Sequence, residues 1–345
     1  MLVEQVQAFL RSPDTLPQVT LPAIEAPSLE GVQVIVRGPP ELDPDTLQQL
    51  YQQHLERIAP RRRLAVGEFA EPGDVVMVAM GVFTLEGAAL PYTFQAPVEL
   101  TAGGGWLLPE VPAALVGRTE SELFDVPVVF PEDWPAAWLR GAQAVFRIRV
   151  RSIDRPDLPE ADDPELLPKL GITLSLNGLM AALRDQWIEE RSDELVAAAE
   201  HAALDELLGR VEIPVAEEAI EAQIWRYWAR DEGSVILELE GHEADLHATL
   251  AAWLRSEDLR QQVGRAYRLA ALLSAIARRS GIEVRAADLD VLIAEGAAGA
   301  GVDPDAAARA FREDPGQALL LADRALQRRI VRHVLDQAEV RIVTE

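Results

Sequence analysis

The 345-residue chain contains no cysteine, which removes disulfides, thiolate nucleophiles, iron–sulfur clusters and Cys-ligated zinc together. Lysine is almost as scarce. Lys169 is the single one, so a lysine nucleophile has one candidate, and its neighbours Leu167-Pro168-Lys169-Leu170-Gly171 read as a linker or helix end. No stretch approaches the ~18 uninterrupted apolar residues of a membrane span. Met1-Leu2-Val3-Glu4-Gln5-Val6 lacks the positive and apolar regions of a signal peptide, so the expectation is a soluble cytoplasmic protein with no membrane partner. Positive charge is also short. Lys plus Arg number 32 against 57 Asp plus Glu, a net charge of −25 that repels phosphate backbones and anionic lipid heads. The densest basic cluster, Arg61 to Arg63, has no interleaved aromatics and reads as a solvated turn. No nucleic-acid partner is predicted.

The remaining routes to cofactor chemistry are thin. Of five histidines only His242 and His247 are neighbours, and their five-residue spacing takes them off one helical face, so a solvated helix start is read there and no metal site. Ala102-Gly103-Gly104-Gly105 lacks the Gly-Lys-Ser/Thr ending of a phosphate loop and reads as a flexible loop. Acidic pairs such as Asp162-Asp163 and Glu189-Glu190 follow from the acidic composition, and none stands out as an acid/base couple. No cofactor is expected.

With 49% hydrophobic residues and about twice a common domain's length, the chain should fold as two or more units. Proline is concentrated before about residue 170, and long Ala/Leu/Glu/Arg stretches dominate afterwards. Short β-type runs fill the first part: Val32–Val36, Val75–Val82, Pro97–Thr101, Val126–Phe130 and Val145–Ile153. The last sets Arg147, Arg149 and Arg151 against Phe146, Ile148 and Val150, a half-buried strand. Asp43-Pro44-Asp45 opens a helix carrying Leu47, Leu50, Tyr51, Leu55 and Ile58. From Ser175 the period becomes helical, and one helix of some thirty residues runs to Ile213-Pro214. A second runs through Ile220, Ile224 and Trp228 to Gly233, a third from Ser256 to Gly281, and Asp303-Pro304 and Asp314-Pro315 start two more. The final helix is read as burying Leu319, Leu326, Ile330 and Val334, and the second half as all helical. It is also the more acidic half, net −17 over residues 156–345 against −8 over 1–155.

Phe124-Asp125-Val126-Pro127-Val128-Val129-Phe130-Pro131-Glu132-Asp133-Trp134, followed by Leu139-Arg140-Gly141 and the strand to Val150, resembles the trigger factor family of bacterial chaperones. In that family a strand ending in Phe-Pro-Glu, a nearby aromatic and Leu-(Lys/Arg)-Gly before the last strand close an FKBP-like peptidyl-prolyl isomerase domain. Asp157-Leu158-Pro159-Glu160 is similar to the family's linker into its helical domain, and Ile213-Pro214-Val215 to a turn between that domain's first two helices. Val19-Thr20-Leu21-Pro22 fits the lead-in to the isomerase domain. The resemblance implies an α+β FKBP-like domain followed by an elongated, all-α SurA/trigger-factor-like helical domain. Its boundaries would be an N-terminal helix or extension at 1–16, the FKBP-like domain at 17–155, a linker at 156–170 and a helical chaperone domain with arms at 171–345. The family's ribosome-docking Gly-Phe-Arg-x-Gly-x-x-Pro loop is not found before Val19, so direct ribosome docking is not expected. Met1–Ser12, with Val3, Val6, Phe9 and Leu10 spaced for a short amphipathic helix, reads as a docked terminal helix or a partner contact rather than a targeting signal.

Catalysis in FKBP-type domains uses an apolar, aromatic-lined cavity that desolvates an X-Pro amide. Carried over by the resemblance, the candidate pocket is Met80, Leu107, Leu108, Val111, Trp134 and Phe146, of which only Trp134 and Phe146 are aromatic, so the pocket reads as degenerate. Trp225, Tyr227 and Trp228 span much of a helix circumference, interrupted by Arg226 and Arg230, and are the expected client-binding surface. The function implied is an ATP-independent holdase for unfolded or newly made polypeptides, with self-association possible. The alternatives are an active prolyl isomerase and an assembly protein gripping one folded partner.

Overall fold

The computed structural model describes residues 2–12, 21–38, 42–157, 166–170 and 172–343. The Leu158-Pro159-Glu160 part of the linker motif and Val19-Thr20 of the lead-in lie outside the described residues. Packing divides the chain into two units that are discontinuous in sequence: Met1–Val19, Asp43–Leu183 and Glu217–Val263 form one, and Thr20–Leu42, Arg184–Ala216 and Gly264–Glu345 the other.

In chain order the elements are α1 (Leu2–Arg11), β1 (Gln33–Arg37), α2 (Pro44–Ile58), β2 (Arg61–Arg63), β3 (Val75–Phe83), β4 (Gln95–Thr101), α3 (Glu110–Leu115), β5 (Leu123–Val129), β6 (Gln143–Pro156) and α4 (Leu166–Lys169). They continue with α5 (Leu176–Gly209), α6 (Glu217–Trp228), a π-helical turn at Ala229–Gly233, α7 (Ser234–Glu238), α8 (Glu243–Arg255), α9 (Glu257–Ser280), α10 (Ala286–Ala300), α11 (Pro304–Glu313), α12 (Pro315–Leu335) and β7 (Glu339–Val343). An α+β part is followed by a long helical region, the fold class read from the sequence. Two local readings need correction. Arg61–Arg63 is a short edge strand on β6, its cations paired with Glu99, Glu68 and Glu120, so the basic cluster is spent on intramolecular charge. The second half is not wholly helical, because it ends in β7.

The first unit is built on a five-stranded antiparallel sheet in the order β2-β6-β3-β4, with β5 also paired to β6. β3, Val-Val-Met-Val-Ala-Met-Gly-Val-Phe, does not alternate between apolar and polar, as a strand covered on both faces should not. Val76, Val78, Met80 and Val82 enter a core with Leu108, Val111, Leu115, Phe146 and Ile148. Ala79 and Phe83 enter a second core on the opposite face with Leu2, Val6 and Phe9 of α1 and Trp228, Ile236, Leu239 and Leu246 of the helices. Gly81 makes room for this second layer, since a Cβ there would run into the Phe94 ring. The arginine row of β6 faces the same layer. Arg149 donates to the Glu238 carbonyl at 2.8 Å and pairs with Glu240 at 2.8 Å, Arg151 pairs with Glu238, and Arg147 pairs with Asp125 while lying over the Phe83 ring. Docking of α1 through Leu2, Val6 and Phe9 agrees with the reading of Met1–Ser12, and Leu10 stays outside.

The second unit brings opposite ends of its chain together. β1 and β7 form a two-stranded parallel sheet, with Val34 beside Val340 and Val36 beside Ile342. Val34 and Val36 sink into a core with Ala203, Leu204 and Leu207 of α5, Leu272 and Ile276 of α9, and Ile330 and Val334 of α12. Asp303 and Asp314 cap α11 and α12 as their Asp-Pro pairs predicted, Asp303 accepting from Ala306 N–H at 3.1 Å and Asp314 from Gln317 N–H at 3.1 Å. Leu319, read as buried, is 73% exposed: the apolar stripe of α12 meets the core only from about Leu326 onward.

Trp228 is the largest wholly buried side chain of the second layer. Trp228→Ala should therefore cost about 3–5 kcal/mol in urea unfolding. A loss below about 1 kcal/mol would contradict its place in the core.

Candidate functional site

The pocket residues carried over from the resemblance gather on the first face of the sheet, except one. β3 presents Met80, β6 presents Phe146, the segment entering α3 presents Leu108 and α3 itself Val111; all four are buried in one cluster, against which Trp134 packs half-buried. Leu107 points away and is 66% exposed, so it is no cavity floor. The reason is local: Leu107 and Leu108 are consecutive, and only one of the two can face the core.

Two rings missing from the sequence reading complete the cluster. Phe146 meets Trp106 edge-on at 5.8 Å and Phe130 at 6.1 Å, and Phe130 meets Trp134 edge-on at 4.9 Å. Trp106 reaches this place because the loop after β4 turns through Gly103, at φ +68°, whose N–H donates to the Pro112 carbonyl at 2.8 Å. Neither ring stands at a position that the resemblance carries over: Phe130 belongs to the Phe-Pro-Glu strand end, and Trp106 closes the glycine run and arrives through a loop. Such a cluster, half-buried at Trp106 and Trp134, can desolvate an apolar or amide group laid against it.

The second candidate site comes apart. Trp225 and Trp228, three residues apart, share one face of α6, and that face turns inward. Trp228 is wholly buried, its Nε1–H donating to Thr249 Oγ1 at 3.1 Å. Trp225 is half-buried and meets Phe9 edge-on at 5.2 Å, while Tyr227 lies off to the side under Arg230. The three do not form one exposed surface, because α1 and the second face of the sheet cover two of them. His242 sits at the N-terminus of α8, its backbone N–H donating to Asp245 at 2.8 Å, and His247 lies 3.9 Å from Glu243. Among the described residues no group of three or more His, Cys, Asp or Glu could hold a metal ion. No helix among them is long and apolar enough to cross a membrane.

Beyond Trp228 the helix widens into the π turn, a common place for a functional irregularity. It carries Glu232, wholly buried beside the Trp253 indole N–H and the backbone N–H groups of Tyr92, Thr93 and Phe94, none of which closes to full hydrogen-bond geometry. Burial pushes its carboxyl up to about 7. The native state therefore holds this proton more tightly than the unfolded chain. Stability is full below the unfolded carboxyl value, falls as pH rises towards 7, and is flat above it. The loss should amount to about 3 kcal/mol across that window. Glu232→Gln should remove this part of the pH slope in unfolding titrations, and an unchanged slope would refute the assignment.

Residues 175–336 match the family described as bacterial trigger factor protein (TF) C-terminus. The chain is similar to the trigger factor of Novosphingobium aromaticivorans, 28% identical over 80% of this chain and 52% of that protein. It is also similar to that of Rhizorhabdus wittichii, 27% identical over 95% of this chain and 57% of the relative, and to that of Caldicellulosiruptor saccharolyticus, 30% identical over 49% and 38%. Among solved structures, one titled "Promiscuous Substrate Recognition in Folding and Assembly Activities of the Trigger Factor Chaperone" aligns with 87% of this chain and 70% of its own, at 20% identity and a TM-score of 0.33. The helical residues 175–336 are thus similar to the trigger factor C-terminus, the chain is similar to trigger factors over most of its length, and it spans about half the length of the first of these curated relatives.

Proposed function

We propose that the protein is an ATP-independent cytoplasmic chaperone that holds unfolded or newly made polypeptides on apolar helical surface. The observation that carries this reading is the uncovered apolar set of the second unit: Val291 on α10, Val302 beyond it, and Leu319 and Leu320 on α12 all stand exposed. A groove of about 670 Å³ between α9 and α12 adds Leu273, Ile282, Leu326 and Ile330, with Arg278 and Asp323 among its polar residues. Broad, weakly specific apolar surface suits clients that share only exposed hydrophobic segments. The net charge of −25 keeps such a protein soluble and disfavours docking on ribosomal RNA. The division proposed from the resemblance stays a proposal: an N-terminal helix or extension at 1–16, an FKBP-like domain at 17–155, a linker at 156–170 and a helical chaperone domain with arms at 171–345, beside compact units that are discontinuous in sequence.

The test is aggregation of a chemically denatured client diluted into buffer without ATP. At a few-fold molar excess, light scattering should fall by more than about half, and the double variant Leu319→Ser/Leu320→Ser should lose most of that effect. No suppression by the parent chain would end the proposal.

The ring cluster supports a second reading, residual prolyl isomerisation. If it operates, cis/trans exchange of an X-Pro peptide should be accelerated, and Trp134→Ala should slow the catalysed part by about tenfold or more. Exchange at the uncatalysed rate with the parent chain rejects it.

A further inference from the structure

Parallel pairing fixes which backbone groups of β7 are used. Glu339 N–H donates to the Val32 carbonyl at 2.8 Å, and Gly38 N–H donates to the Val343 carbonyl at 2.9 Å. In a parallel ladder alternate residues bond to the same neighbour, so Glu339, Arg341 and Val343 face β1. The N–H and C=O groups of Val340 and Ile342 then face the other way, where no strand among the described residues pairs with them. The opposite edge differs. There Gln33 N–H on β1 already donates to Glu206 at 2.7 Å.

The side chains point to the same edge. Val34 and Val36 on β1 are buried, and their register partners Val340 and Ile342 continue that apolar row, yet these are 42% and 61% exposed. The core-facing side of the sheet therefore overhangs by one strand. An added strand would satisfy four outward backbone groups and cover two apolar side chains at once.

We propose that the free edge of β7 is a docking site for an extended polypeptide segment of alternating apolar residues with neutral or basic flanks, bound by strand addition. Charge selects this occupant over a second copy of the chain. A copy brings another −25, and in the two-fold antiparallel register that pairs Val340 with Ile342 it sets Arg341 opposite Arg341. A neutral or basic segment meets neither penalty. The site deepens the chaperone reading, on which it rests, by adding a backbone-directed mode for clients that carry a short alternating apolar segment.

The test uses the full chain and a fluorescein-labelled ten-residue peptide of alternating valine and threonine with a lysine at each end. At saturation, amide hydrogen exchange at Val340 and Ile342 should slow about tenfold, while Arg341 changes little. Ile342→Pro removes an N–H that β1 does not use and should weaken peptide binding about fivefold or more with the helical circular dichroism unchanged. Should that variant lose structure, Ile342→Lys keeps the backbone intact and should weaken binding in the same direction. Peptide binding without protection of these two amides would overturn the edge site while leaving the chaperone reading standing. Failure of both peptide binding and aggregation suppression would end both. A concentration-dependent dimer abolished by Ile342→Pro would replace the proposal with self-pairing.

Discussion

The first unit depends on β3 being buried from both sides. Val76, Val78, Met80 and Val82 face one core while Ala79 and Phe83 face another. At about 1.5–3 kcal/mol for each large side chain kept from water, neither layer can be left off without exposing a strand that has no polar face to offer. This accounts for elements distant in sequence meeting here. α1 and the α6–α8 segment form the second cover, and Arg149, Arg151 and the cap at Asp245, which accepts from Ala89 N–H at 2.9 Å, fix that cover in register. It also accounts for the inward turn of Trp225 and Trp228. A face needed to cover Phe83 is not free to bind clients.

Much of the fold was legible in the sequence because it rests on local signals. The Asp-Pro starts at 43, 303 and 314, the thirty-residue helical period from Ser175, and the alternation of β6 all depend on residues within a few turns of one another. What was not legible was set by distant partners. Nothing near Arg149 and Arg151 shows that the α7 segment will dock on them, and the alternation alone marks only a half-buried strand. The break expected at Gly233 does not occur; Gly233 instead lies close under the Trp228 ring inside a continuing helix, and the backbone widens to a π turn there. Of the residues carried over for the pocket, Met80, Leu108, Val111 and Phe146 are buried together, and the rings of Phe130 and Trp106 beside them were not among those carried over. Trp106 arrives through a loop whose path no strand alignment contains.

The exposed apolar residues of α10–α12 have a similar physical origin. α11 buries no residue although its sequence is strongly one-sided, and Arg328 and Arg329 on α12 reach Glu295 and Asp288 on α10 at 2.6 and 2.7 Å. Ion pairs at half-exposed positions are weak determinants of position, of the order of 0–1 kcal/mol each. Helices held this way keep apolar surface that a tighter core would have consumed. Such a surface can be covered and uncovered at little cost, as transient binding requires.

The second unit poses a closure problem, because Val34 and its partner Val340 are roughly three hundred residues apart. Closure entropy grows only logarithmically, so lengthening a loop from about thirty to about three hundred residues adds about 2 kcal/mol. Burial of Val34 and Val36 against α5, α9 and α12 is of that size or larger, at about 1.5–3 kcal/mol each, so the parallel pair can form at an acceptable net cost. The order of events follows from the same arithmetic. Helices α5, α9 and α12 can form from local contacts, whereas β1 must wait for the far end of the chain before its ladder exists.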